Sequence, residues 1–154
     1  MLIVILLAGG LAFTQSADVI TDLLESDKVS FGQVSYLAAV QMNLLDENDS
    51  YENAVKALVD NDIIPDGEEA DTPIPLVDIA YIYSKLWDVK GGLMYRLTKG
   101  SPRYAFRQFQ SDGIISSDAD PAWLVSGAKA LSIFTSCVNK YSGFDMRSVS
   151  MEVE

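Results

Sequence analysis

The residues with the most chemical potential lie in one stretch. Between Val89 and Ser111 there is no acidic residue, and Lys90, Arg96, Lys99, Arg103 and Arg107 all fall there, five of the eleven cations of the chain. Tyr95, Tyr104 and Phe106 are interleaved with them, and Gly91, Gly92, Gly100 and Pro102 make the stretch rich in turns. Arg offers a planar fork of N–H donors that fits carboxylate or phosphate. Tyr beside Arg adds a flat apolar face with a hydroxyl at its edge, suited to a sugar ring or a protein partner. Arg103 and Arg107 are four apart, so a helix puts them on one face. The candidate binding residues are therefore Lys90, Tyr95, Arg96, Lys99, Arg103, Tyr104 and Arg107. The competing reading is internal: these arginines pair with the protein's own carboxylates, such as Asp66, Glu68 or Asp88. Where Arg103 and Arg107 point decides between the two.

Catalytic chemistry has thinner support. The chain has no histidine, which removes the commonest general base and the commonest metal ligand. A zinc site would need four ligands from one Cys and carboxylates, so neither a metal nor another cofactor is expected. A carboxylate pair could serve glycoside hydrolysis, with Asp78 and Asp88, flanked by apolar residues, as candidates. Aspartate on an apolar helix is more often a buried, hydrogen-bonded residue, and the chain is expected not to be an enzyme. The run Asp66-Gly67-Glu68-Glu69-Ala70-Asp71 lacks the spacing of a calcium loop and reads as a solvated acidic loop. The single Cys137 lies in Ile133-Phe134-Thr135-Ser136-Cys137-Val138; it excludes an intramolecular disulfide and is expected to be buried.

A net charge of −11 repels phosphate backbones, so general nucleic-acid binding is excluded. The 154 residues, 49% of them apolar, suffice for one domain with a core. Leu2 to Phe13 is an uncharged apolar run too short to span a bilayer comfortably. It fits the core of a secretory signal peptide, with Thr14 and Ser16 as the small residues ahead of cleavage before Ala17. The Lys or Arg that usually precedes such a run is absent. The alternative is an apolar helix retained in the fold.

The elements that must hold the basic stretch are helical. Val19, Ile20, Leu23 and Leu24 mark a helix over 18–25. Ser30 with Gln33 has capping-box spacing and opens a second helix. Asp49 or Ser50 caps a third through Val55, Leu58 and Val59. Leu76 to Trp87 is apolar nearly all round and belongs at the centre of the core. Ser101-Pro102 opens a helix ending at Gly113, and Asp120-Pro121 repeats that start signal for a helix reaching Tyr141. Strand signals are few: Leu93 to Leu97 is the best, with Ile63-Ile64 and Ile114-Ile115 short. One unit recurs. Asn61-Asp62-Ile63-Ile64 and Asp112-Gly113-Ile114-Ile115 each close a helix and precede a proline-marked loop and an apolar run, Leu76 to Ala80 or Leu124 to Ala128. A looser copy is read at Leu23 to Val29. Such units bury their apolar faces against one another.

This pattern resembles the S-layer homology module of bacterial cell envelopes, on Ser111 to Ile115 with Asp118 to Pro121, and on Asn61 to Ile64 with Asp71 to Pro75. The resemblance covers Ala17 to Tyr141 and implies helical repeats at the cell envelope. That family carries a Thr-Arg-Ala-Glu type motif at the start of its second helix, which helps bind wall glycan. Here those positions read Pro75-Leu76-Val77-Asp78 and Trp123-Leu124-Val125-Ser126, so its glycan-binding residues are not carried over. Gly91 to Leu97 is also similar to a segment of short spirochaetal envelope proteins, which implies location rather than activity.

The expected protein is mainly α: a single domain of about three helix-loop-helix repeats with at most short β segments. Its organisation is a signal peptide over 1–16, the repeat domain over 17–141 and a polar tail over 142–154. The expected function is non-catalytic: an exported, periplasmic or secreted envelope protein without a transmembrane span after processing. It binds a protein partner or an anionic wall polymer through residues 90–107. The alternatives are a self-assembling, homo-oligomeric envelope subunit and a carboxylate-dependent glycoside hydrolase.

Overall fold

A computed structural model describes residues 10–142. Most of the segment read as a signal peptide, and the tail beyond Ser142, lie outside the described residues. The chain is mainly helical, as expected: α1 (Gly10–Glu25), α2 (Phe31–Gln41), α3 (Tyr51–Asp60), α4 (Leu76–Leu86), α5 (Leu93–Leu97), α6 (Pro102–Ser111) and α7 (Gly127–Tyr141). Among the described residues β structure is limited to isolated bridges, Ser30 to Pro73 and Pro75 to Leu124. No helix among them is long and apolar enough to cross a membrane. The chain divides into two compact units, residues 10–74 with 126–128, and residues 75–125 with 129–142.

In the first unit α2 packs on α3. Both starts are capped as their sequences require. Gln33 N–H donates to Ser30 Oγ at 3.3 Å while Ser30 N–H donates to Gln33 Oε1 at 3.1 Å. Asn53 N–H donates to Ser50 Oγ at 3.2 Å. Asp22 on α1 then ties the pair: its Oδ2 accepts from Gln33 Nε2 at 2.9 Å and from the Tyr51 hydroxyl at 2.7 Å. Gln33, though buried, is thereby satisfied. Leu23, Val29, Val34, Ala38, Ala54, Leu58 and Ile74 fill the interior. Leu24, expected on the apolar face of the first helix, is half exposed.

In the second unit α4 is the central helix, as its all-round apolar sequence demands. Leu76, Ile79, Ala80, Ile82 and Tyr83 are buried, and α6 packs against them. Phe134 of α7 meets Tyr83 and Trp87 edge-on, with ring centroids 5.4 and 5.0 Å apart.

The turn read in the recurring unit is a helix cap, and it occurs more widely than the unit. Among the described residues five helices end on a left-handed residue, α2 at Asn43 (φ 56°), α3 at Asp62 (φ 55°), α4 at Asp88 (φ 44°), α5 at Lys99 (φ 54°) and α6 at Gly113 (φ 75°), and after Asn43, Asp62 and Gly113 an apolar pair follows. The next N–H reaches back to the helix: Leu44 to the Ala39 carbonyl, Ile63 to that of Leu58 and Ile114 to that of Phe109, each at 2.9 Å. This is the helix-closing bond of the Schellman motif. Ile63-Ile64 and Ile114-Ile115 are therefore cap residues and not strands. The third copy is Asn43-Leu44-Leu45. Leu23 to Val29, read as that copy, has no left-handed residue; there α1 ends at Glu25 and the Ser26 N–H bonds back to Leu23 O at 3.2 Å.

Helix starts in the two units are satisfied alike, by carbonyls from later loops. Phe31 and Gly32 donate to Thr72 O and Ala70 O, at 2.9 and 2.8 Å. Leu76 and Val77 donate to Trp123 O and Pro121 O, each at 2.9 Å. This corrects the reading of Asp120-Pro121 as a helix start. Residues 121–124 stay non-helical because their carbonyls and the Leu124 bridge serve the start of α4, and α7 opens only at Gly127. Leu93 to Leu97, read as the best strand, is a single turn of helix, with Arg96 N–H donating to Gly92 O at 3.0 Å and Thr98 N–H to Met94 O at 3.1 Å.

Candidate functional site

All seven candidate residues belong to the second unit. Pro102 stands at the first position of α6, where its missing N–H costs nothing. Ala105, Phe106 and Phe109 turn inward, which leaves Arg103 and Arg107 exposed on the outer face. A concavity of about 490 Å³ lies beside them. Val77, Phe106 and Pro121 give it an apolar lining, and the two arginines stand over it. Gln110 shapes one wall by donating to the Ser116 carbonyl at 3.1 Å. The Arg107 guanidinium lies 5.9 Å from the centroid of the Tyr104 ring, so the expected Tyr–Arg pairing is formed within one helix turn.

Among the described residues neither Arg103 nor Arg107 pairs with Asp66, Glu68 or Asp88. Among the described residues ion pairs join Lys56 to Asp60 and Lys90 to Asp88, each at 2.5 Å, and neither Arg103 nor Arg107 is in one. Both pairs are highly exposed and contribute little to stability. Asp88, a carboxylate considered for catalysis, is thus an exposed partner of Lys90. Asp78 sits half-buried in the first turn of α4.

A second concavity, about 330 Å³, opens where α4 ends. Lys85, Lys90, Tyr95, Arg96 and Lys99 line it. Lys85 Nζ donates to Lys99 O at 2.9 Å and Arg96 Nε donates to Gly91 O at 3.1 Å. Tyr95 has a different role from the free face expected of it. A β-carbon on Gly91 would fall 2.4 Å from Tyr95 Cγ, and one on Gly100 2.7 Å from Cζ. The ring is clasped between two glycines and shapes the turn that presents Arg96 and Lys99. Phe106 likewise belongs to the core, being 5% exposed.

The sequence reading missed Lys85, which lies outside the acid-free stretch, and the apolar side chains of α5. Leu93 is 73% exposed, Leu97 68% and Met94 49%, and α5 buries none of its residues. Leu93, Arg96 and Leu97 have the i, i+3, i+4 spacing of one helix face. That signal is present in the sequence but is hidden when the stretch is read with a period of two.

Cys137 is fully buried, and burial, with Asp112 adding to it, pushes its thiol up to about 12. It is a packing residue, as expected, and not an available thiolate. Among the described residues no three Cys, Asp or Glu side chains gather as a metal site would require. Comparison with family models, with curated proteins and with solved structures gives no match to this chain.

Proposed function

We propose that this is a non-catalytic, exported cell-envelope protein, built of S-layer-homology-like helical repeats, that holds an anionic wall polymer or an acidic envelope protein against residues 90–107. One observation carries the reading. Arg103 and Arg107 are exposed beside an apolar concavity and, among the described residues, stand in no ion pair, although the chain holds 22 carboxylates. Two guanidiniums at helical spacing offer a phosphate or carboxylate bidentate, charge-assisted bonds. Val77 and Pro121 offer a sugar ring or an aliphatic side chain an apolar seat. The envelope location draws on the apolar run Leu2 to Phe13, and the repeat assignment on the apolar pairs that follow the helix caps at Asn43, Asp62 and Gly113.

The test is binding of the purified chain to a soluble phosphodiester wall polymer and to an acidic polypeptide. The expected result is binding to one of them that weakens steeply with salt and falls at least about tenfold in the Arg103→Gln, Arg107→Gln double variant. Equal binding by the double variant, or binding indifferent to salt, would remove the reading. A self-assembling subunit is the second reading, favoured by the exposed Trp123 and Leu124. Sedimentation that shifts with concentration, and stops shifting when both are changed to Ser, would favour it.

A further inference from the structure

We infer that α5 docks on an anionic lipid surface, with Leu93 and Leu97 entering the boundary between headgroups and acyl chains and Lys85, Lys90, Arg96 and Lys99 meeting the lipid phosphates. The inference shares with the preceding proposal the premise that the basic stretch faces outward, and goes beyond it by using α5 rather than the groove at Arg103 and Arg107. Three observations converge. First, α5 holds none of its side chains in the core, and its leucines are 73% and 68% exposed. Exposed apolar side chains gathered on one short element mark a contact surface. Second, cations surround that element. Arg96 shares the face of the leucines, and Lys85, Lys90 and Lys99 line the adjoining concavity. Third, residues 89–111 contain no carboxylate; of the two that flank them, Asp88 lines the concavity and pairs with Lys90, leaving Lys85, Arg96 and Lys99 outside ion pairs among the described residues, and Asp112 accepts from Gln108 and Tyr141.

The combination selects the occupant. A phosphodiester polymer satisfies the cations but gives the leucines nothing to bury in. The core of a protein interface selects against lysine, and three of these four cations are lysines. A lipid surface rewards both, because apolar side chains ringed by Lys and Arg match the change from acyl chains to phosphates across a few ångströms. The net charge of −11 opposes approach to an anionic surface, but at physiological salt screening limits each charge to about 8 Å, so the acid-free stretch 89–111 sets the field at α5 itself.

The experiment measures partition of the full chain onto vesicles of phosphatidylcholine, with and without phosphatidylglycerol, in about 0.15 M salt. Variants are Leu93→Ser with Leu97→Ser, Arg96→Gln with Lys99→Gln, and Arg103→Gln with Arg107→Gln. Amide hydrogen exchange locates the contact. Partition is expected on the anionic vesicles, with slower exchange in residues 93–97. It should fall at least about tenfold for the leucine pair and about fivefold for each cation removed from α5 and its cap. The Arg103, Arg107 variant should keep most of its partition. The apolar run Leu2 to Phe13 is common to all variants, so any partition it causes is unchanged among them. Partition unaffected by the leucine changes, or protection of another segment, would overturn the lipid contact. Loss of polymer binding in the Arg103, Arg107 variant with vesicle binding intact would separate the two proposals, and the converse result would leave only the groove.

Discussion

Gly127, the first residue of α7, is pressed against the backbone of Leu23: a β-carbon on it would lie 1.7 Å from the Leu23 carbonyl oxygen. Its N–H donates to Ser26 O at 2.9 Å, so the close approach and the hydrogen bond come together. Only a residue without a side chain permits both. Gly127→Ala should force the two backbones apart and weaken that bond. The expected loss is roughly 2–4 kcal/mol, overpacking plus a disturbed buried hydrogen bond. Urea unfolding measures it. A variant within about 0.5 kcal/mol of the parent would show that the segments separate freely.

Two substitutions on α4 should have opposite effects. Ile79 is fully buried, and Ile79→Ala should cost roughly 2–5 kcal/mol. Tyr83 is also fully buried, yet its hydroxyl has no hydrogen-bond partner among the described residues. Tyr83→Phe keeps the edge contacts to Trp87 and Phe134 and removes an unsatisfied polar atom. It should be neutral or stabilising by about 1 kcal/mol. A loss above about 1 kcal/mol in thermal unfolding would mean that the hydroxyl is bonded in solution.

These helices were legible because their signals are dense. Ser30 with Gln33, Ser50 with its following turn, and the all-round apolar run from Leu76 each specify a start or a burial pattern within one element. The misreadings share a cause: each turns on a partner distant in sequence. Asp120-Pro121 looks like a helix start, but the carbonyls of Pro121 and Trp123 are taken by the start of α4 some forty positions earlier. Asn43-Leu44-Leu45 carries no β-branched pair, so the pattern of Ile63-Ile64 and Ile114-Ile115 does not reveal it; the turn itself requires only a left-handed residue after the helix. In the candidate site Arg103 and Arg107 could be found from spacing alone. Lys85 could not, because its place beside Lys99 depends on how the chain returns after α4.

The left-handed caps give a test of the repeat geometry. Lys99 adopts φ 54° with nothing in its side chain to favour it, whereas Gly113 meets the same requirement without strain. Lys99→Gly should stabilise by about 1 kcal/mol, since a left-handed residue with a β-carbon costs about that much. Gly113→Ala, with nothing within 4 Å of the new β-carbon, should destabilise by a similar amount through backbone strain alone. Opposite signs in chemical unfolding would support the assignment of both turns; a Gly113→Ala variant as stable as the parent would not.

Alkaline pH should unfold this protein through its buried acids. Burial raises the Cys137 thiol from 9.0 to about 12, and burial likewise raises the hydroxyls of Tyr51 and Tyr83. Over that window the unfolded thiol loses its proton while the native one keeps it. The native state then binds more protons, so stability falls as pH rises, from about 9 until the native thiol itself ionises near 12. Well below pH 9 Cys137 contributes no slope. Urea midpoints measured every half unit from pH 8 to 11 should decline, and Cys137→Ala should flatten part of the decline. Rapid reaction of the folded thiol with a disulfide reagent at pH 8 would contradict the burial on which this rests.

Stability also bears on the binding surface, since residues that serve a partner need not serve the fold. Arg103 and Arg107 are exposed and lie outside the ion pairs of the described chain. Both line the concavity together with Phe106 and Val77, and glutamine retains two of arginine's three methylenes. The Arg103→Gln, Arg107→Gln double variant should therefore unfold within about 0.5 kcal/mol of the parent. The same variant removes both charge-assisted contacts to an anion. The expected pattern is an unchanged melting temperature with lost polymer or protein binding. If the melting temperature instead drops as far as it does for Ile79→Ala, the guanidiniums are structural struts, and the basic face loses its claim to be a recognition surface.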